Sequence, residues 1–173
     1  MDDIYAIIPV TKFKNAKTRL SPFLSEDERE KLLKVMLQDV TDTLKRYVDK
    51  IFIISRDEDV LTYAKSLKLD TILENENSNL NKALTQAMKF CKGKTRKVLI
   101  VPSDIPLIGK TNIAMLIEAS KSLDFIIVPS KGGGTNMMIM KPMAIHTHFE
   151  GFSYKEHVNA AERKKLNPQV HDS

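Results

Sequence analysis

The chain has no tryptophan, and aromatic residues make up only 6% of its 173 residues. Proteins that grip single-stranded nucleic acid stack bases on aromatic platforms, so this scarcity counts against that class. A single cysteine, Cys91, excludes an internal disulfide and leaves no thiolate cluster for a metal. A reducing cytoplasm is the natural setting for such a chain. No apolar run approaches the roughly 20 residues needed to cross a bilayer. The opening MDDIYAIIPV starts with acids and passes directly into a strand-like segment, which is wrong in charge and length for a secretory leader. Neither a Walker A loop nor a G-x-G-x-x-G turn occurs. A bound phosphate must therefore rely more on side chains than on glycine amides. No Ser/His/Asp set with a useful order stands out, and no repeat, low-complexity segment or Pro/Gly/Ser-rich linker divides the chain.

What is present describes one ordinary domain, residues 1–173. Apolar residues make up 42% and charged residues 28%, the usual globular range, and the length suffices for one real core. The net charge is +5 and the isoelectric point about 9.2. A basic surplus serves nucleic acid, an anionic membrane or a small phosphorylated ligand. Here the lysines are dispersed rather than striped, which favours the small anionic ligand and leaves no nucleic-acid or membrane partner expected.

Strand and helix signals alternate along the chain. Residues 4–10 (IYAIIPV) form an apolar run stopped by Pro9. The period then changes over 25–47, where Ser25 and Glu28 make a capping box and Leu32, Leu33, Met36, Leu37, Val40 and Leu44 recur at helical spacing. Strands are predicted at 50–55, 70–74, 97–104, 124–130 and 137–142. Helices are predicted at 57–68, 79–91, 111–122 (capped by Thr111 or Asn112) and 154–165 (with Ser153 as N-cap). This alternation implies an α/β domain, a mainly parallel sheet with helices on both faces. Ligands of such sheets bind beyond the carboxyl ends of the strands, at a switch in strand order. The loops after Pro9, Ser55, Asp104 and Ser130 are the places to look.

Four stretches carry chemistry. After the first strand, Lys12, Lys14, Lys17 and Arg19 fall within eight positions with no acid among them, either a solvated basic loop, the commoner fate of such runs, or enough positive charge for a nucleoside triphosphate. VPSDIPLI delivers Asp104 to the end of a strand, where one carboxylate can share a hard cation such as Mg2+ with phosphate oxygens. KGGGTN combines close backbone approach with Thr135 and Asn136, as an anion site or a hairpin turn. FEGFSYKEH places Ser153 at a helix start, a favourable anion position, with His157 one turn on, lining the same pocket or lying at the surface. The His146/His148 pair lacks a third partner for zinc. The alternating Met137, Met138 and Met140 read as core or as a face for a second subunit, a homodimer being expected.

Six segments together, IIPVTKFKNAKTRLS, EREKLLKVMLQDV, LNKAL, VPSDIPLI, GGGTN and GFSYKEH, resemble the CofC family, the 2-phospho-L-lactate guanylyltransferases of coenzyme F420 biosynthesis. The resemblance implies a three-layer α/β/α sandwich like that of the nucleotide-diphospho-sugar transferases. It implies GTP and (2S)-2-phospholactate as substrates, with phosphoenolpyruvate the acceptor in bacterial relatives, and Mg2+ as cofactor. It assigns Lys17, Arg19 and Asp104 to catalysis, with Asp104 also the metal ligand. The nucleotide is expected against Pro9, Val10, Lys12, Lys17, Asn81, Pro102 and Ser103. Thr135, Asn136, Gly151 and Ser153 are expected at the acceptor. Two departures accompany the match. Relatives often read FGPGSF where this chain has FEGFSY, so the family's first glycine falls on Glu150. Relatives also continue into an acidic D-x-D-T-P-E-D type stretch with a second metal carboxylate, whereas this chain ends NPQVHDS. Sister enzymes acting on sugar phosphates or molybdopterin usually carry Gly-Gly directly after the first strand, which PVTKFKNAK lacks. A non-catalytic phosphate or nucleic-acid binder is the alternative of a different class.

Overall fold

Parallel strands need crossovers, and both faces of the resulting sheet are then covered. The short apolar runs of this chain meet that demand in the computed structural model, which describes residues 3–105 and 109–171. Seven strands line up in the order β3-β2-β1-β4-β6-β5-β7. They are β1 (Ile4–Pro9), β2 (Lys50–Ser55), β3 (Asp70–Leu73), β4 (Lys97–Ile100), β5 (Phe125–Pro129), β6 (Thr135–Met140) and β7 (Pro168–Val170). All pairings are parallel except those of β6, which runs antiparallel to both β4 and β5. Helices α1 (Glu26–Leu44), α2 (Glu58–Ser66), α3 (Leu80–Cys91), α4 (Lys110–Ser120) and α5 (Ser153–Arg163) supply the crossovers and covers.

The period of two along each strand divides the core into two layers. On one face Ala6, Ile8, Ile53 and Leu99 pack with Leu37, Val40 and Leu44 of α1, Val60 of α2 and Ile113 of α4. On the other, Ile7, Ile54, Ile100 and Ile127 pack with Leu84 and Met88 of α3 and Ala161 of α5. The expected α/β/α sandwich is therefore observed. The Met-rich strand is core: Met137 joins the first layer, Met138 and Met140 the second, all nearly inaccessible. It is thus not available as a subunit face.

Several local expectations are corrected. Ser153 is the first residue inside α5; the cap is Phe152, with no side-chain hydrogen bond. The cap of α4 is Gly109, not Thr111 or Asn112. Strand β4 stops at Ile100; Val101 N still donates to the Ile7 carbonyl at 3.2 Å, but Pro102 has no amide proton with which to continue the ladder. Strand β7 went unforeseen: PQV has too little apolar pattern to announce itself, and it exists because the exposed edge of β5 pairs with it. Among the described residues no helix is long and apolar enough to cross a membrane.

The α1 capping box is complete. Glu28 N donates to Ser25 Oγ at 3.3 Å, and Ser25 N donates to the Glu28 carboxylate at 2.8 Å. Ser25→Ala should cost about 1 kcal/mol, read as a lowered midpoint in urea unfolding with an unchanged slope.

Candidate functional site

The chain leaves β1 toward β2 on one side, and β4 later joins β1 on the other. That reversal opens a crevice at the carboxyl ends of β1 and β4. A cleft of about 490 Å³ lies there, walled by Pro9 to Phe13, by Lys17, and by Pro102 to Asp104. The expected nucleotide residues Pro9, Val10, Lys12, Lys17, Pro102 and Ser103 all line it, with Asp104. Lys17 and Asp104, 87 residues apart, meet there in an ion pair.

The cation loop is held from below. Phe13 is buried and packs edge-on against Tyr63 of α2, with ring centroids 5.6 Å apart. Arg29, almost buried in α1, donates to the carbonyls of Ala16 at 3.2 Å and Leu24 at 2.7 Å. Asn15 and Lys17 adopt left-handed backbone, φ 54° and 50°, a conformation unfavourable for side chains other than glycine. The anchors at Phe13 and Arg29 hold that strain in place. The four cations have separate fates. Lys12 and Lys17 face the cleft. Lys14 turns to Asp59 on α2, 3.1 Å away. Arg19 lies exposed in the 3₁₀ turn Thr18–Leu20, outside the cleft lining.

The far end of the cleft lies at the loop after Ser55, one of the loops expected to carry function, but neither Arg56 nor Glu74 was singled out from the sequence. Arg56, just after β2, donates to Glu74, just after β3, at 3.1 Å and to the Ser78 carbonyl at 2.9 Å. Both side chains line the cleft beside the start of α3. The signal was available, because Glu74 ends its strand as Asp104 ends its own; the polar run ENENSN obscured it. Asn81 is set apart. It lines a neighbouring hollow, and its Oδ1 accepts the Phe149 amide at 2.8 Å.

The β4–β6 register pairs Ile100 with Met138. Continued toward the strand ends, it sets Asn136 and Thr135 alongside Pro102 and Ser103, one strand over from Asp104. Ser153 Oγ lies 3.2 Å from Thr135 Oγ1, and His157 Nδ1 lies 2.9 Å from the same oxygen. Asn136 Nδ2 donates to the Pro129 carbonyl at 3.3 Å, across the bulge that ends β5. The glycine turn is the β5–β6 hairpin. Gly133 has φ 79° and sits under the Phe152 ring, where a Cβ would come within 2.7 Å of Cδ1. Gly151, φ 56°, is exposed in the loop before α5. His157 is fully buried rather than at the surface. Burial, then the neighbouring His148, press its pKa down to about 4.

Two described acids line the cleft, Glu74 held by Arg56 and Asp104 held by Lys17; Asp104 is the one that could hold a metal at the Lys17 end. Among the described residues no group of three His, Cys, Asp or Glu gathers into a cage, the His146/His148 pair included. A lone hard carboxylate at that end of the cleft fits an ion that takes its remaining ligands from phosphates and water. Asp172 lies outside the described residues.

Comparison with known proteins follows the same line. The family described as "Guanylyl transferase CofC like" matches residues 4–173. The chain belongs to this family. A protein of Methanobrevibacter smithii named 2-phospho-L-lactate guanylyltransferase is 76% identical over all 173 residues, which cover 77% of its length. Its namesake from Methanobrevibacter ruminantium is 64% identical, covering all of this chain and 79% of that protein. Among solved structures, a Desulfovibrio desulfuricans protein assigned as a nucleotide-diphospho-sugar transferase superposes with a TM-score of 0.82 at 20% identity, over 99% of this chain and 80% of that one. CMP:2-keto-3-deoxy-manno-octonic acid synthetase, solved with CTP, superposes at 0.68 and 8% identity over 99% and 90%. Identities this low establish the shared fold alone.

Burial of neutral His157 ties stability to pH. Below about pH 6.5 the unfolded chain takes up a proton that the folded chain refuses until about pH 4. Stability should therefore be full above 6.5 and fall by on the order of 3 kcal/mol as pH drops to 4. Urea unfolding at stepped pH should show a shallower fall across this window in His157→Leu than in the wild type.

Proposed function

We propose that this chain joins the GMP moiety of GTP to (2S)-2-phospholactate, releasing pyrophosphate and forming lactyl-2-diphospho-5'-guanosine on the route to coenzyme F420. The observation that carries the reading is the meeting of Lys17 with Asp104 at the switch point. The names of the relatives at 76% and 64% identity support it independently.

The reaction asks little covalent chemistry of the protein. An acceptor phosphate oxygen attacks the α-phosphorus of GTP and forms the new P–O–P link. The bond from that phosphorus to the α,β-bridging oxygen breaks, and its electron pair leaves with pyrophosphate. A phosphate dianion is already nucleophilic, so no general base is required. The obstacle is repulsion between two anions. Lys12 and Lys17 offset it, each close pair being worth about 4 kcal/mol before desolvation at an effective dielectric near 20. In the free chain the Lys17 ammonium rests on Asp104; a triphosphate entering the cleft offers it stronger anionic partners and frees the carboxylate. Asp104 would hold Mg2+ together with triphosphate oxygens, and the ion when bound neutralises charge on the phosphates. Thr135 takes the acceptor one strand over from Asp104, supported by Ser153, with Asn136 and Gly151 at its margin. Arg19, on the exposed turn, acts only if the loop closes over the triphosphate.

This polarity runs the nucleotide from β4 toward β3, with its base near Arg56 and Glu74. Strands lie about 4.8 Å apart, so the three steps from β4 to β3 match an extended nucleoside triphosphate. A carboxylate repels phosphate, yet it accepts well from the adjacent N1–H and 2-amino donors of guanine.

Incubation with GTP, Mg2+ and 2-phospholactate, with phosphoenolpyruvate in parallel, should release pyrophosphate. Lys17→Ala should reduce turnover on the order of a hundredfold or more; unchanged turnover removes the loop from the mechanism. Glu74→Gln should lower kcat/KM for GTP about tenfold, within the range for one lost charged hydrogen bond. It should also narrow the preference for GTP over ITP, which lacks the 2-amino group. An unaltered GTP:ITP ratio would move the base elsewhere.

A further inference from the structure

The acceptor side contains a hydrogen-bond chain whose direction is set from its buried end. The backbone amide of His148 can only donate, and it lies 2.8 Å from Nε2 of His157. Nε2 is therefore the lone-pair nitrogen, and the neutral ring carries its proton on Nδ1. That N–H points at Thr135 Oγ1, 2.9 Å away, which must accept it. The Ser153 hydroxyl donates to the same oxygen at 3.2 Å. A hydroxyl has two lone pairs and one proton. With both lone pairs engaged, the Thr135 proton is left to be given outward.

The opposite arrangement would be harmful. With the proton on Nε2, Thr135 would donate inward to Nδ1 and present lone pairs to an anionic ligand. Two features exclude that tautomer. The loop bearing His148 is clamped, because Asn81 Oδ1 holds the very next amide, Phe149 N, at 2.8 Å. The imidazole is fully buried and walled edge-on by the Phe149 ring, 4.8 Å between centroids. Thr135, by comparison, is only half-buried at the start of β6.

We propose that His157 is a positioning residue whose fixed tautomer makes the Thr135 hydroxyl an obligate donor to the anionic acceptor, and that Asn81 serves the same end by clamping the loop rather than by touching nucleotide. The proposal rests on the reading of Thr135 as an acceptor-binding residue given above. It extends that reading to two side chains that need not contact any substrate.

The test is steady-state pyrophosphate release at saturating GTP with 2-phospholactate varied, then the reverse. His157→Leu should raise the KM for 2-phospholactate at least tenfold and leave the KM for GTP within twofold. His157→Asn, whose amide N–H takes the place of Nδ1–H, should recover most of that loss. His157→Gln, which reaches the Nε2 position and keeps only the loop contact, should not. Thr135→Val combined with His157→Leu should be no worse than Thr135→Val alone, because the histidine acts through the threonine. Should His157→Leu fail to fold by thermal melting, the Asn/Gln pair decides the matter. Equal KM values for Asn and Gln variants, a parallel rise in KM for GTP, or multiplying single-variant effects would each overturn the proposal while leaving an active wild type intact. A wild type that releases no pyrophosphate with the acceptor overturns the functional reading, and this proposal with it.

Discussion

The ion pair between Lys17 and Asp104 is the constraint around which the crevice is organised. It joins the loop after β1 to the loop after β4, the two strands between which the sheet reverses its order. A cation on one lip and an anion on the other keep the free cleft neutral at its centre. The pair is partly exposed, so it contributes little to stability by itself.

Everything else about the first loop serves to place that lysine. A left-handed backbone at Asn15 and Lys17 is costly, and loops of this kind fray unless tied down. The ties are apolar and polar together: Phe13 inserts beneath α2, and Arg29 spends its guanidinium on two loop carbonyls instead of an acid. A glycine-rich phosphate loop reaches its ligand with backbone amides. The loop after β1 here carries its charge on side chains, and no Gly-Gly turn follows the first strand.

The Thr135 side of the crevice is built by the antiparallel strand β6. Because β6 runs against β4, its first residues arrive at the same end as the last residues of β4. Thr135 is thereby delivered beside Pro102 and Ser103 without any crossover. Helix α5 then folds back over the hairpin, with Tyr154 N donating to the Gly133 carbonyl at 3.2 Å, and brings Ser153 and His157 onto the same hydroxyl.

Apolar period, capping residues and strand-ending prolines were enough to determine the alternating elements, the two-faced sheet and the loops that matter, because those features act locally. The placement of Asp104 and of the cationic loop at strand ends was legible for the same reason, and the six segments named the family. What only the tertiary structure decided is which polar side chains point where. Lys14 leaves the cleft because Asp59 waits on α2, and Asn81 is spent on the Phe149 amide. Glu74 enters the cleft because β3 happens to end beside α3. His157 is buried because α5 packs on the sheet. Such choices depend on partners tens of residues away, and a one-dimensional pattern holds no information about a contact whose two halves are joined only by folding.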